Sequence, residues 1–201
     1  RPDRLTIGQE PFDGRIAQIS PVGVVSTLSP KSRVYVALID VNGSGVLGPV
    51  GGAAGPVQVA YGPGGLLAYA TVQAASEVVK IDLQRREVVG RVRVGRGPVQ
   101  LATTPDGSLL VVASQGTRAR PSRTTALVDT RTMRVSQTLS TGSGAHGVTV
   151  ESGGRQAFVT DVFAGDVAVI DLDERGVVDR IRVGGEPNGI TYSPLRQPHA
   201  R

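Results

Sequence analysis

Four segments of the chain end alike, and the distances between them constrain the fold more than any other property. ALIDV at 37–41, VKIDL at 79–83, ALVDT at 126–130 and AVIDL at 168–172 carry Asp40, Asp82, Asp129 and Asp171 at the end of an apolar run. Sixteen residues beyond each Asp stands Pro56, Pro98, Ala145 or Pro187, and Pro11 is a fifth member of the series. Three residues ahead of that position lies Gly8, Gly95, Gly142 or Gly184, with Ala53 in the remaining case. The repeats run 11–55, 56–97, 98–144 and 145–186, a period of about 44 residues. A period of that length, filled with β-branched residues, specifies propeller blades of four antiparallel strands and an all-β fold.

Each repeat divides accordingly. The last gives HGVTVES, a turn at Gly153-Gly154, then RQAFVTDVF, DVAVIDL and VVDRIRVG. The second gives PVQVAYG, a turn at Pro63-Gly64-Gly65, then LLAYATV, EVVKIDL and EVVGRVRVG. In its outer strand Val92 and Val94 alternate with Arg91 and Arg93, the period of a half-buried face. Third strands are almost continuously apolar, as burial on both faces requires. With four Tyr, three Phe and no Trp, the blades must pack through Val, Ala, Leu and Ile. The third repeat carries its extra residues in a long loop, 114–123, between its second and third strands.

LLAYATVQAASEVVKIDLQRREVVGRVRVGRGP and RQAFVTDVFAGDVAVIDLDERGVVDRIRVGGEPNG resemble the YVTN-type β-propeller repeat. Tyr69-Ala70-Thr71 and Phe158-Val159-Thr160-Asp161 occupy the position of the Tyr-Val-Thr-Asn signature. The resemblance implies a superfamily of cytochrome d1-like and lactonase-like propellers, with bacterial surface and periplasmic members, lactonase-like enzymes and haem- or copper-bearing redox proteins. It therefore implies an extracytoplasmic location, periplasmic, secreted or cell-surface. Residues 1–10 match the end of a last strand, and 187–201 begin a first strand. With the missing initiator Met, these ends lead us to expect part of a larger ring of six to eight blades, since seven would need roughly 308 residues.

Strand alternation puts the loop leading into each first strand, and the loop between strands two and three, on one face. The leading loops ring the channel mouth with Glu10, Phe12 and Asp13, Val57 and Gln58, Val99 and Gln100, His146, and Glu186 and Asn188. Loop 114–123 adds Arg118, Arg120 and Arg123, suited to phosphate, carboxylate or cofactor propionates through charge-assisted hydrogen bonds. His146, Arg118, Arg120, Arg123, Gln58, Gln100, Asn188 and Asp161 are the ligand-binding candidates. The four repeat Asp residues each open a turn, where a carboxylate caps backbone N–H groups, so they are structural. His146 and His199 are too few for an imidazole-rich copper cluster, though one His can be an axial haem ligand. Asp161 and Asp166 are the two carboxylates open to calcium or magnesium.

The absence of Cys excludes disulfides, thiolate metal sites and a cysteine nucleophile. No serine elbow, phosphate loop or dinucleotide fingerprint occurs. A net charge of +5, with 20 of 22 basic residues Arg, permits nucleic acid, but few aromatics are placed to stack bases. No apolar run reaches the ~18 residues of a membrane span. The sequence thus favours a non-catalytic scaffold or binding module without a cofactor, using its channel face or rim for a protein or small anionic ligand. The competing reading is a lactonase-like hydrolase, or a haem- or metal-bearing module, centred on His146 and the Arg118, Arg120 and Arg123 loop.

Overall fold

A computed structural model describes residues 56–194, and the backbone of three strands ahead of them, β1 (Val22–Thr27), β2 (Tyr35–Asp40) and β3 (Gly45–Val50). Segment 1–10, Pro11, Glu10, Phe12, Asp13 and His199 lie outside the described residues. Three four-stranded antiparallel sheets follow. The first holds β4 (Pro56–Tyr61), β5 (Leu67–Val72), β6 (Glu77–Asp82) and β7 (Glu87–Arg93). The second holds β8 (Pro98–Thr103), β9 (Leu109–Gly116), β10 (Pro121–Asp129) and β11 (Arg134–Ser140). The third holds β12 (Ala145–Val150), β13 (Gln156–Asp161), β14 (Asp166–Asp171) and β15 (Gly176–Arg182). Strand order in every sheet is the order of the chain, and β1–β3 pair in the same way. Among the described residues no helix is long and apolar enough to cross a membrane.

The Asp that closes each third strand builds the turn after it. Asp82 Oδ1 accepts from the N–H groups of Gln84 and Arg85 at 3.0 and 2.9 Å. Asp171 Oδ1 accepts from Asp173 and Glu174 at 2.9 and 2.8 Å, and Asp129 Oδ1 from the N–H and hydroxyl of Thr132. The fourth residue after each of these, Arg86, Met133 or Arg175, is left-handed, with φ of 59°, 51° and 54°. The pairing to the outer strand then slips at Lys80/Ile81, Leu127/Val128 and Val169/Ile170. One turn chemistry therefore recurs in three sheets.

The backbone N–H and then the hydroxyl of Thr132 hold the Asp129 carboxyl below the usual carboxylate range. An Asp with a depressed folded pKa contributes stability that is present above its unfolded value and lost as pH falls through the folded one. Asp129→Ala is therefore expected to lower the melting temperature at neutral pH. The difference from wild type should close below about pH 3, as read by circular dichroism melts.

Sheets pack face to face through small aliphatic side chains. Tyr69 and Val78 of the first sheet meet Leu101, Leu110, Val112, Ala126 and Val128 of the second. Val111, Ala113, Leu127 and Leu139 of the second meet Ala145, Val148, Val159 and Ile170 of the third. A third cluster, around Val72, Val79 and Ile81, lies on the other face of the first sheet. The first strands lie side by side, β8 between β4 and β12.

Polar clamps join the same sheets. The buried Thr71 hydroxyl accepts from Gln58 N–H at 3.1 Å and donates to the Val99 carbonyl on the next sheet at 2.9 Å. Thr160 repeats this fifteen residues into its own sheet, taking Gly147 N–H at 2.7 Å and giving to the Asn188 carbonyl at 3.2 Å. The threonine of the Tyr-Val-Thr-Asn position is thus the hydroxyl that ties one sheet to the segment after it. Lys80 adds a further tie, its Nζ donating to the Thr130 carbonyl at 2.9 Å.

Candidate functional site

The turns between second and third strands and the connectors between sheets gather at one end of the blades. The hairpin β9–β10 dominates that end. Its segment 114–123, expected as a long loop, is mostly strand: β9 continues to Gly116, β10 begins at Pro121, and only 117–120 turn. Thr117 and Arg120 exchange backbone hydrogen bonds of 3.1 and 3.0 Å, and Gly116 supplies the left-handed φ of 69° that starts the turn. N–H groups of Gln115 and Gly116 also bond to the carbonyls of Gly97 and Arg96. Paired backbone on both sides fixes this hairpin, which a solvated loop would lack.

Arg118 reaches from the tip to the third sheet. Its guanidinium pairs with Glu186 and lies over the Phe163 ring, 5.0 Å from the centroid. Arg120 and Arg123 are exposed, Arg120 at the tip and Arg123 on β10 beside an irregularity between Pro121 and Thr124. The expected Arg triplet therefore divides into one anchored and two outward-facing members.

His146 stands on β12, and its Nδ1 meets the Asn188 carbonyl at 3.0 Å. A carbonyl only accepts, so Nδ1 carries the proton and Nε2 is the ring atom with ligating character. The Asn188 side chain is exposed. Segment 186–188 thus links the two predicted clusters, Glu186 to Arg118 and Asn188 to His146. Gln58 and Gln100 do not join them. Gln58 Oε1 instead reaches the next sheet, accepting from Leu101 N–H at 2.6 Å, and Gln100 is buried on β8. Among the described residues no three His, Cys, Asp or Glu side chains gather to hold a metal ion.

Asp161 lies inside. It is fully buried, neither carboxylate oxygen has a hydrogen-bond partner, and Arg180 Nη1 stands 3.7 Å from Oδ2. Burial, then the Asp166 charge, push its carboxyl up to about 7 against the pull of Arg180. Arg180 is exposed on β15, yet its guanidinium also donates from Nη2 to the Ser140 carbonyl at 3.1 Å, contacts that the strand pattern does not announce. Sequence reasoning also missed Phe163 as the platform for Arg118, since a lone Phe in a turn carries no signal of what crosses it.

Residues 55–194 match the family model described as YNCE-like β-propeller. No curated protein matches the chain. Among solved structures, Kuenenia stuttgartiensis hydrazine synthase is similar at 23% identity and TM-score 0.73, over 82% of this chain and 47% of that one. The β-propeller domain of Myceliophteria thermophila Cps50 (Swd1) is similar at 14% identity and TM-score 0.68, over 86% of this chain and 55% of that one. The chain spans about half the length of these structures. At such identities the likeness is one of fold.

Proposed function

The chain belongs to the YNCE-like β-propeller family, and from that scaffold we propose a non-catalytic, extracytoplasmic binding module that holds an acidic protein segment on the face bearing the β9–β10 hairpin. The supporting observation is the division of labour among its arginines. Arg118 is spent on Glu186 and Phe163, which fixes the hairpin across the neighbouring blade, while Arg120 and Arg123 stand exposed on that fixed support. Preorganised guanidinium groups lose less entropy on meeting carboxylates than groups on a mobile loop. No cofactor is needed for this role.

Fluorescence anisotropy with a labelled oligo-glutamate peptide at low salt tests it. The Arg120→Ala, Arg123→Ala double variant should bind roughly 5- to 30-fold more weakly, the loss expected for two partly solvated charge contacts, with its melting temperature unchanged. Equal affinity in wild type and variant would sink the proposal. Lactone hydrolysis or a haem absorption band, lost on His146→Ala, would replace it with the enzymic or redox reading.

A further inference from the structure

Asp161 and Asp166 end and begin consecutive strands and are register partners across the turn 162–165. Both oxygens of Asp161 and Oδ1 of Asp166 are buried without a hydrogen-bond partner. Room for the Asp161 carboxylate exists because residue 142 is Gly, where a Cβ would overlap it. The surroundings hold few compensating charges. On β15, Arg180 lies 3.7 Å from Asp161, and Arg182 is the register partner of Asp166. On β12, Ala145 pairs with Asp161, and the neighbouring His146 has Nδ1 committed to Asn188. From the connector come Thr141 and Gly142, and from β10 Thr125, whose hydroxyl bonds that of Thr141 at 3.1 Å. A single, partly exposed guanidinium therefore stands by a fully buried carboxyl, beside a half-buried Asp166 with one oxygen shut from water.

We propose that Asp161, buried beside Asp166, keeps its proton and forms a pH-operated latch on turn 162–165. Ionising Asp161 would place a buried charge beside the Asp166 carboxylate with only a partly exposed Arg180 to offset it, a cost relieved by moving the turn outward. That turn carries Phe163, whose N–H bonds the Ser143 carbonyl at 3.0 Å and whose ring lies under Arg118. Opening the latch thus withdraws the platform from Arg118 and releases that side chain at the tip of the β9–β10 hairpin. A divalent cation is a poorer occupant than a proton, because Arg180 already fills the cationic position. The latch is independent of what the hairpin face binds.

Its sign follows from the raised carboxyl. The folded chain holds this proton more tightly than the unfolded chain, so the pair's contribution is complete below about pH 4 and is lost as pH rises toward 7. Carbon-detected NMR of the full chain reads the carboxyl groups and the three Phe rings together. One Asp carboxyl is expected to titrate with a midpoint near 7, and Phe163 ring signals should shift with the same midpoint. Asp161→Asn should abolish both and gain several degrees in melting temperature over wild type between pH 4 and 8, a lead absent at the acid end. Asp166→Asn, which keeps Asp161, should move the Asp161 midpoint down, since it removes the neighbouring like charge and leaves desolvation opposed by Arg180 and Thr141. All Asp midpoints below 5, or Phe163 signals that ignore the titration, would overturn the latch. So would calcium raising the melting temperature of wild type but not of Asp161→Asn at pH 8, which would make the pair a cation site.

Discussion

Leu127→Ala is expected to destabilise the chain by about 2–5 kcal/mol, the range for truncating a fully buried Leu whose neighbours cannot collapse into the space. Leu127 is 0% exposed and lies in the cluster that Val111 and Ala113 of its own sheet form with Ala145, Val148 and Val159 of the next. Those neighbours sit on paired strands of two different blades, so backbone hydrogen bonding holds both walls apart. Urea unfolding followed by circular dichroism measures the loss. Val178, 49% exposed on β15, is the control, and its Ala variant should stay within about 0.5 kcal/mol of wild type. Equal, small effects for both would mean that the sheets do not pack as described.

Thr71→Val tests the polar half of the same junction and should cost about 2–4 kcal/mol. The substitution keeps shape and volume but removes the hydroxyl that serves Gln58 N–H and the Val99 carbonyl together. Two backbone groups on neighbouring blades then lose one shared partner, and each pays part of its desolvation. Thr71→Ser restores the hydroxyl and should recover most of the loss. Thr160→Val, whose outward partner Asn188 lies on an exposed segment, should cost less, because water can serve that carbonyl. An unmeasurable effect of Thr71→Val would mean that the clamp adds nothing beyond apolar packing.

What could be read from the chain follows the range of the interactions involved. The Asp that starts each turn after a third strand acts on donors two or three residues away, so its spacing betrays it directly. β4, β8 and β12 begin at Pro56, Pro98 and Ala145, positions set by the same repeat. The β9–β10 hairpin was not legible. Gly116 and Pro121 look like breakers in SQGTRARPSRTT, yet they are register partners that close the turn, and the irregularity before Thr124 hides the alternation of β10. The partners of the candidate residues were hidden for a different reason. Arg118 with Glu186, and Arg180 with Asp161, meet only after two sheets or two hairpins are in place. At Asp161 the repeat predicts an amide where this chain has a carboxyl, and its consequence depends on burial, which spacing does not report.

Strand order that follows chain order has a kinetic consequence. Each pairing within a described sheet closes a short stretch of chain, so a blade can zip up hairpin by hairpin with little loss of loop entropy. The contacts between blades come next, and they link residues such as Thr71 and Val99, 28 apart. Rate limitation then falls on docking one preformed sheet against its neighbour. Substitutions in the Asp turns should slow folding, whereas loss of the Thr clamps should mainly speed unfolding, and the two limbs of a chevron plot separate these outcomes.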